Sequence, residues 1–158
     1  MTRSRQRGTT TVEFAIIGTV LMVVVFGVIE FGRALFVINM LTEATRRGAR
    51  MAAVCPVGDP KPAQVAVFAN GGTNSSLVAG LTTANVQVQY LDISGNVIAS
   101  PGTAAGFNSI RYVRVRIVGF TQTLLIPLHI TAIPLSGFAT TLPRESLGVY
   151  PSVGSTPC

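Results

Sequence analysis

The chain has 158 residues, of which 48% are hydrophobic and only 11% charged, and it carries a net charge of +6. That length holds one small core and one membrane segment, not two sizeable domains. Half of the positive excess sits in residues 1–8, where Arg3, Arg5 and Arg7 stand without an acid. Such a cluster ahead of an apolar run reads as a topology signal, not as the basic stripe of a folded nucleic-acid-binding face, so nucleic acid is set aside as a partner.

Phe14 to Ile29 is a run of sixteen residues without a charge. Counted from Thr9, twenty-one residues precede Glu30; as a helix they measure about 31 Å, the thickness of a hydrocarbon core. The run can therefore cross a bilayer, with the arginine tail in the cytoplasm and everything after about residue 33 outside. A cleaved secretory signal is the competing reading. It would have a shorter apolar region and a small-residue cut site, whereas here the helical pattern continues through "IEFGRALFVINML". Glu30 and Arg33 are spaced to pair on one face, as a charge pair at the outer lipid boundary, and Glu43 faces Arg46 and Arg47. Phe31, Leu35, Ile38 and Leu41 form an apolar stripe expected to pack on the remainder of the protein. Cys55-Pro56 ends the helix, because the residue before proline is pushed out of helical conformation. The expectation is one helix over residues 9–54, spanning in its first half and amphipathic in its second.

The pattern then changes to that of a small extracytoplasmic head over residues 55–158. "PVGDPKP" is a turn-rich linker, and "AQVAVFAN" before Gly71-Gly72 predicts a short helix with a glycine stop. Alternation at Val86, Val88 and Tyr90, followed by Ser94-Gly95-Asn96, predicts a hairpin. "SIRYVRVRIVGF" predicts a half-buried strand: Val113, Val115 and Ile117 on one face, Tyr112, Arg114 and Arg116 on the other. The apolar stretch "QTLLIPLHITAIPLSGFATTLP" contains Pro127 and Pro134, which argues for a loop and short helix over a regular strand. The tail "YPSVGSTPC", from Tyr150, is expected to be loose unless Cys158 is bonded. The fold class is α+β: a long N-terminal helix, a small C-terminal antiparallel β-sheet and a short helix.

Catalytic chemistry finds little to use. The single His129 lies between Leu128 and Ile130 and reads as structural; Asp59, Asp92 and Glu145 are scattered, and no phosphate-binding or dinucleotide motif occurs. No metal site or cofactor is expected, since no Cys-x-x-Cys pair or His/Cys cluster exists. Cys55 and Cys158 both follow the apolar run, and an even count on the exported side fits one disulfide, with two free thiols as the alternative. Arg111, Arg114 and Arg116 offer a surface to an acidic partner or a phosphate, although a charged strand face is more often simply solvated. Asn74-Ser75-Ser76 matches a glycosylation triplet, a pattern common by chance.

Glu13 is the anomaly, because a carboxylate at the mouth of an apolar helix is costly in lipid. From position alone, it either complements the positive helix N-terminus or has a partner. Gly8 lies five residues before it, at the end of the basic tail. Val12-Glu13-Phe14 opens the span, Glu30-Phe31-Gly32-Arg33 closes it, and Thr45-Arg46-Arg47-Gly48-Ala49-Arg50 follows on the same helix. With these motifs, residues 3–54 resemble the TadE-like family of tight-adherence, type IV pilin-like pseudopilins; Gly18 stands where relatives often carry proline, and Arg144-Glu145 within "LPRE" is a fainter likeness.

The resemblance implies a minor pilin or pseudopilin and not an enzyme. It implies a leader over residues 1–8, cut by a membrane prepilin peptidase between Gly8 and Thr9. It gives Glu13 an assembly role, meeting the new Thr9 ammonium of an adjacent subunit. Its partners would be the peptidase, other pilin and pseudopilin subunits, an inner-membrane assembly platform and the lipid bilayer. The location would be the bacterial inner membrane in a single pass, head outside, and the pilus after assembly. The alternative is a single-pass anchored binding module that never enters a filament; a third is a secreted enzyme or lectin released after the apolar run.

Overall fold

The computed structural model describes residues 7–69, 71–125, 132–150, 154–155 and 158. Arg3, Arg5, Pro127 and His129 lie outside these. Helix α1, Arg7–Val54, is a single element of 48 residues, about 72 Å long at 1.5 Å per residue. Helix α2 covers Lys61–Ala66 and strand β1 Val86–Leu91; helix α3 is Ala104–Ser109, β2 Tyr112–Ile117, β3 Thr121–Thr123, β4 Ala132–Pro134, β5 Ala139–Pro143, β6 Val149–Tyr150 and β7 Gly154–Ser155. The architecture is α+β, with a long helix carrying a small antiparallel head.

The head is a three-stranded sheet, order β1-β2-β5, laid along the second half of α1. In register, Val88 faces Val115 and Val115 faces Thr140. Strand alternation puts Val113, Val115 and Ile117 into the core and leaves Arg116 exposed and Arg114 half-buried on the outer face. At the Glu30 end of the sheet, Val37 and Leu41 of α1 pack with Val78, Leu81, Ile117 and Phe120. Toward the end of α1, Ala49 and Ala52 pack with Tyr90, Ile110, Val113 and Leu147.

The helix face that packs is not the expected one. Phe31, Leu35 and Ile38 are exposed, and only Leu41 of that stripe is buried. The buried face runs through Val37, Leu41, Ala44, Thr45, Ala49 and Ala52, with Gly48 among them. Small side chains let the backbones come close. A Cβ on Gly48 would lie 2.9 Å from Ala66 Cβ and 3.1 Å from Val115 Cγ1. Thr45 is buried there with its hydroxyl satisfied, 2.9 Å from both the Thr42 carbonyl and Thr140 Oγ1.

Three head segments also depart from expectation. Helix α2 begins earlier and ends earlier than residues 63–70: Asp59 Oδ1 accepts the Lys61 amide at 2.8 Å, Pro62 suits a first turn, and Phe68 at φ 57° has left helical geometry. The hairpin after β1 is a stub. Asp92 Oδ1 organises its turn by accepting the Ser94 and Asn96 amides, but the return reaches only a Leu91–Val97 bridge and an Ile98 N–H to Tyr90 bond; β1 finds its full partner in β2. Residues 122–143 hold no helix among the described residues. They form β4 against β3, and β5 against β2; Pro134 ends a strand in a two-stranded pair, where its missing N–H matters least.

Candidate functional site

Thr9 and Glu13 are one turn apart near the start of α1, and both are exposed. Glu13 has no ion pair among the described residues. Beside it, Ala15 and Thr19 leave a shallow apolar groove between Val12, Ile16 and Val20. The most apolar window of this helix, with a mean hydropathy of 2.6, is wholly uncovered by the head. In water such a surface would be strongly disfavoured. The helix is long and apolar enough to anchor the chain in a membrane.

At the end of the apolar run, Arg33 Nη1 donates to both oxygens of Glu30, at 2.9 and 3.0 Å. The second of these oxygens also accepts the Leu125 amide at 3.0 Å. Glu30 therefore ties the β3 end of the head to the anchor, and its side chain is only 15% exposed. Periodicity along α1 signals the Arg33 partner; the Leu125 contact comes from 95 residues away and leaves no trace in the local pattern. Further along, Arg47 donates to Glu43 at 2.9 Å and stacks 5.0 Å from the Phe68 ring. That hydrogen bond holds the Glu43 carboxyl below its ordinary value, with Arg46 a lesser contributor.

The far end of α1 is closed by the C-terminal segment. Helix ends leave carbonyls without helical partners. Here the Glu145 amide donates to the Ala53 carbonyl at 3.0 Å and the Gly148 amide to the Val54 carbonyl at 2.6 Å. Gly148 takes φ +76° against Pro56, where a side chain would collide. Cys55 and Cys158 are joined by a disulfide, with their Cα atoms 5.6 Å apart. The stretch around Arg144-Glu145 is held from two sides: the Glu145 amide at the end of α1, and Arg144 at α3, where it donates to the Phe107 carbonyl and lies over the Phe107 ring.

On the outer sheet face, Arg114 donates to Thr141 Oγ1 at 3.2 Å, while Arg111 turns to the Asn108 and Ile110 carbonyls. The three arginines therefore do not converge on one point. Tyr90 is buried, which raises its phenol above the ordinary value, and its hydroxyl accepts the Gly58 amide. Asn74 is exposed and bridges to Thr82. Among the described residues, no group of three His, Cys, Asp or Glu side chains is placed to hold a metal ion.

The distinctive chemistry thus lies on α1: an exposed acid with no ion pair among the described residues, an uncovered apolar surface, a charged boundary and a small-residue docking face. Residues 8–50 match the family model of TadE-like proteins. The TadE-like segment coincides with α1 almost from end to end and stops just before the Cys55 junction. It contains the Glu13, Glu30, Arg33 and Gly48 positions, so the match and the geometry single out the same element. No curated protein matches the chain. No solved structure matches it either. A TadE-like match and a single apolar N-terminal helix fit a pilin-like, membrane-anchored subunit.

Proposed function

We propose that this protein is a minor pilin or pseudopilin of a tight-adherence, type IV-like pilus. Before assembly, the first half of α1 stands in the inner membrane with its N-terminus cytoplasmic and the head outside. Prepilin peptidase hydrolyses the Gly8–Thr9 bond, removing Arg3, Arg5 and Arg7 and leaving an ammonium on Thr9. An assembly platform then extracts the subunit, and other pilin and pseudopilin helices replace lipid around α1. The domains in this reading are the leader (1–8), the assembly helix (9–54) and the head (55–158).

Glu13 carries the reading. It is exposed and without an ion pair among the described residues, at the start of an uncovered apolar surface within the TadE-like match. A carboxylate in low dielectric is expensive alone and tolerable when paired. The Thr9 ammonium of an adjacent copy supplies that partner, and the pairing sets the axial register between helices. The apolar groove at Ala15 and Thr19 sits where a neighbouring helix would pack.

The mature N-terminus of membrane-purified protein tests this. A mass beginning at Thr9 supports the pilin reading. An intact Met1 supports the anchored binding module, and a start beyond Ile29 supports a secreted product. In cells, Gly8→Ala should block processing. Glu13→Ala should leave processing intact and abolish incorporation into pili; normal pili from both variants would refute the proposal.

A further inference from the structure

The end of the head nearest Glu30 carries an apolar rim that the core does not use. Leu125, whose amide is held by Glu30, is 64% exposed, Leu77 is 53% exposed, and Ile133 is 40% exposed. Leu77 and the β3 residues Gln122 and Thr123 line a cavity of about 200 Å³ with Arg33, Phe36 and Val37 of α1. The rim therefore sits at the level of residues 30–37, within about 10 Å along the axis beyond the apolar run. That range begins within the headgroup layer, which adds roughly 5–8 Å to each side of a hydrocarbon core, and ends at its aqueous edge.

Charge is distributed to match. The head has three acids, Asp59, Asp92 and Glu145, and all lie at the opposite end. Asp59 is near Cys158, Glu145 caps α1 at Ala53, and Asp92 follows the β1 terminus that pairs with Tyr112. The acid at the rim level is Glu30, and Arg33 neutralises it.

We propose that this rim is a membrane-contact surface: Leu77, Leu125 and Ile133 rest in the outer-leaflet interface of a phospholipid bilayer, so that head and anchor meet lipid as one body. The occupant is lipid because the Glu30–Leu125 bond and the cavity that Leu77 shares with Arg33, Phe36 and Val37 hold the rim just beyond the spanning run, and because the head's acids lie at its far end. Single apolar side chains there contribute modestly, and their sum fixes how the head is seated. The inference rests on the membrane-span reading of α1, and the test separates the two.

The chain contains no tryptophan, so single substitutions report without background. Full-length Leu77→Trp, Leu125→Trp and Ile133→Trp variants are reconstituted in phosphatidylcholine–phosphatidylglycerol vesicles. Val24→Trp serves as the span control and Ile93→Trp, beside Asp92, as the far-end control. Bromine is placed on the lipid either near the glycerol or near the acyl-chain terminus. The expected result is blue-shifted emission from the rim variants, with about twofold or greater quenching by the shallow bromine; Val24→Trp is quenched by the deep one and Ile93→Trp by neither. If Leu77→Trp and Leu125→Trp behave like Ile93→Trp while Val24→Trp is quenched, the head stands clear of lipid and this inference fails alone. If Val24→Trp also escapes quenching, the span reading fails with it.

Discussion

The Glu30 carboxylate and the Leu125 amide, 95 residues apart in the chain, meet at 3.0 Å. Because Arg33 holds the same carboxylate, one side chain serves as both the helix's charge pair and the head's tether. A hydrogen bond to a charged acceptor is worth about 1.5–3 kcal/mol when buried, and the partial exposure of Arg33 reduces what the ion pair adds.

Glu30→Ala should therefore loosen the β3 end of the head without unfolding it. Amide exchange at Leu125 and Thr123 is expected to quicken by roughly tenfold, corresponding to about 1.4 kcal/mol, with Tyr90 and Val115 unchanged. Glu30→Gln retains an acceptor and should fall between. Uniform acceleration across the head would show instead that Glu30 supports the whole fold.

Gly48 is predicted to be intolerant of even one methyl. Overpacking a tight contact costs about 1–3 kcal/mol, against a helix-propensity gain near 1 kcal/mol for Gly→Ala. Gly48→Ala should lower the chemical-denaturation midpoint in detergent, and Gly48→Val should lower it further. Gly32→Ala, which meets nothing within 4 Å, should leave it unchanged or raise it. Equal behaviour of Gly48→Ala and Gly32→Ala would mean that the α2 and β2 contacts relax freely.

The Cys55–Cys158 bond closes a loop with a sequence separation of 103. Chain-entropy arguments assign such a loop about 4–5 kcal/mol. Reduction, or Cys55→Ser with Cys158→Ser, should lower the head's unfolding midpoint while helical circular dichroism from the apolar half of α1 persists. The oxidised and reduced proteins should also separate on a non-reducing gel.

Asp92 predicts a pH dependence. Its carboxyl is lowered first by the Asn96 amide, with the Asn96 side chain and the Ser94 and Gly95 amides adding to it. A folded value below the unfolded one means the stabilisation is fully present above the ordinary carboxylate range and is lost as pH falls through the folded value. The stability difference between wild type and Asp92→Asn should therefore shrink steadily on acidification below about pH 4. A constant difference across that range would remove Asp92 as its source.

Much of this architecture was readable in one dimension because its signals are local. Twenty-one residues between Thr9 and Ile29 contain one charge, and no soluble core of this size can cover them. Alternation in β2 sorted Val113, Val115 and Ile117 from Arg114 and Arg116 without reference to any neighbour. Proline after Cys55 stopped α1 at Val54.

What escaped depends on partners distant in the chain. Two apolar stripes run along the second half of α1 at helical spacing. The stripe expected to pack, Phe31, Leu35, Ile38 and Leu41, buries only Leu41; the head chose Val37, Leu41, Ala44 and Gly48, because small residues let a sheet and a second helix approach together. The partner of β1 escaped for the same reason: the turn at Ser94-Gly95-Asn96 predicts a hairpin with the residues after Asn96, but the continuous ladder with β2, itself anchored on α1, outcompetes that short return. Hydrophobic runs, parity of cysteines and helix stops are written residue by residue. Which face is covered, which strand is adjacent and where Leu125 meets Glu30 emerge when distant segments compete for the same surface.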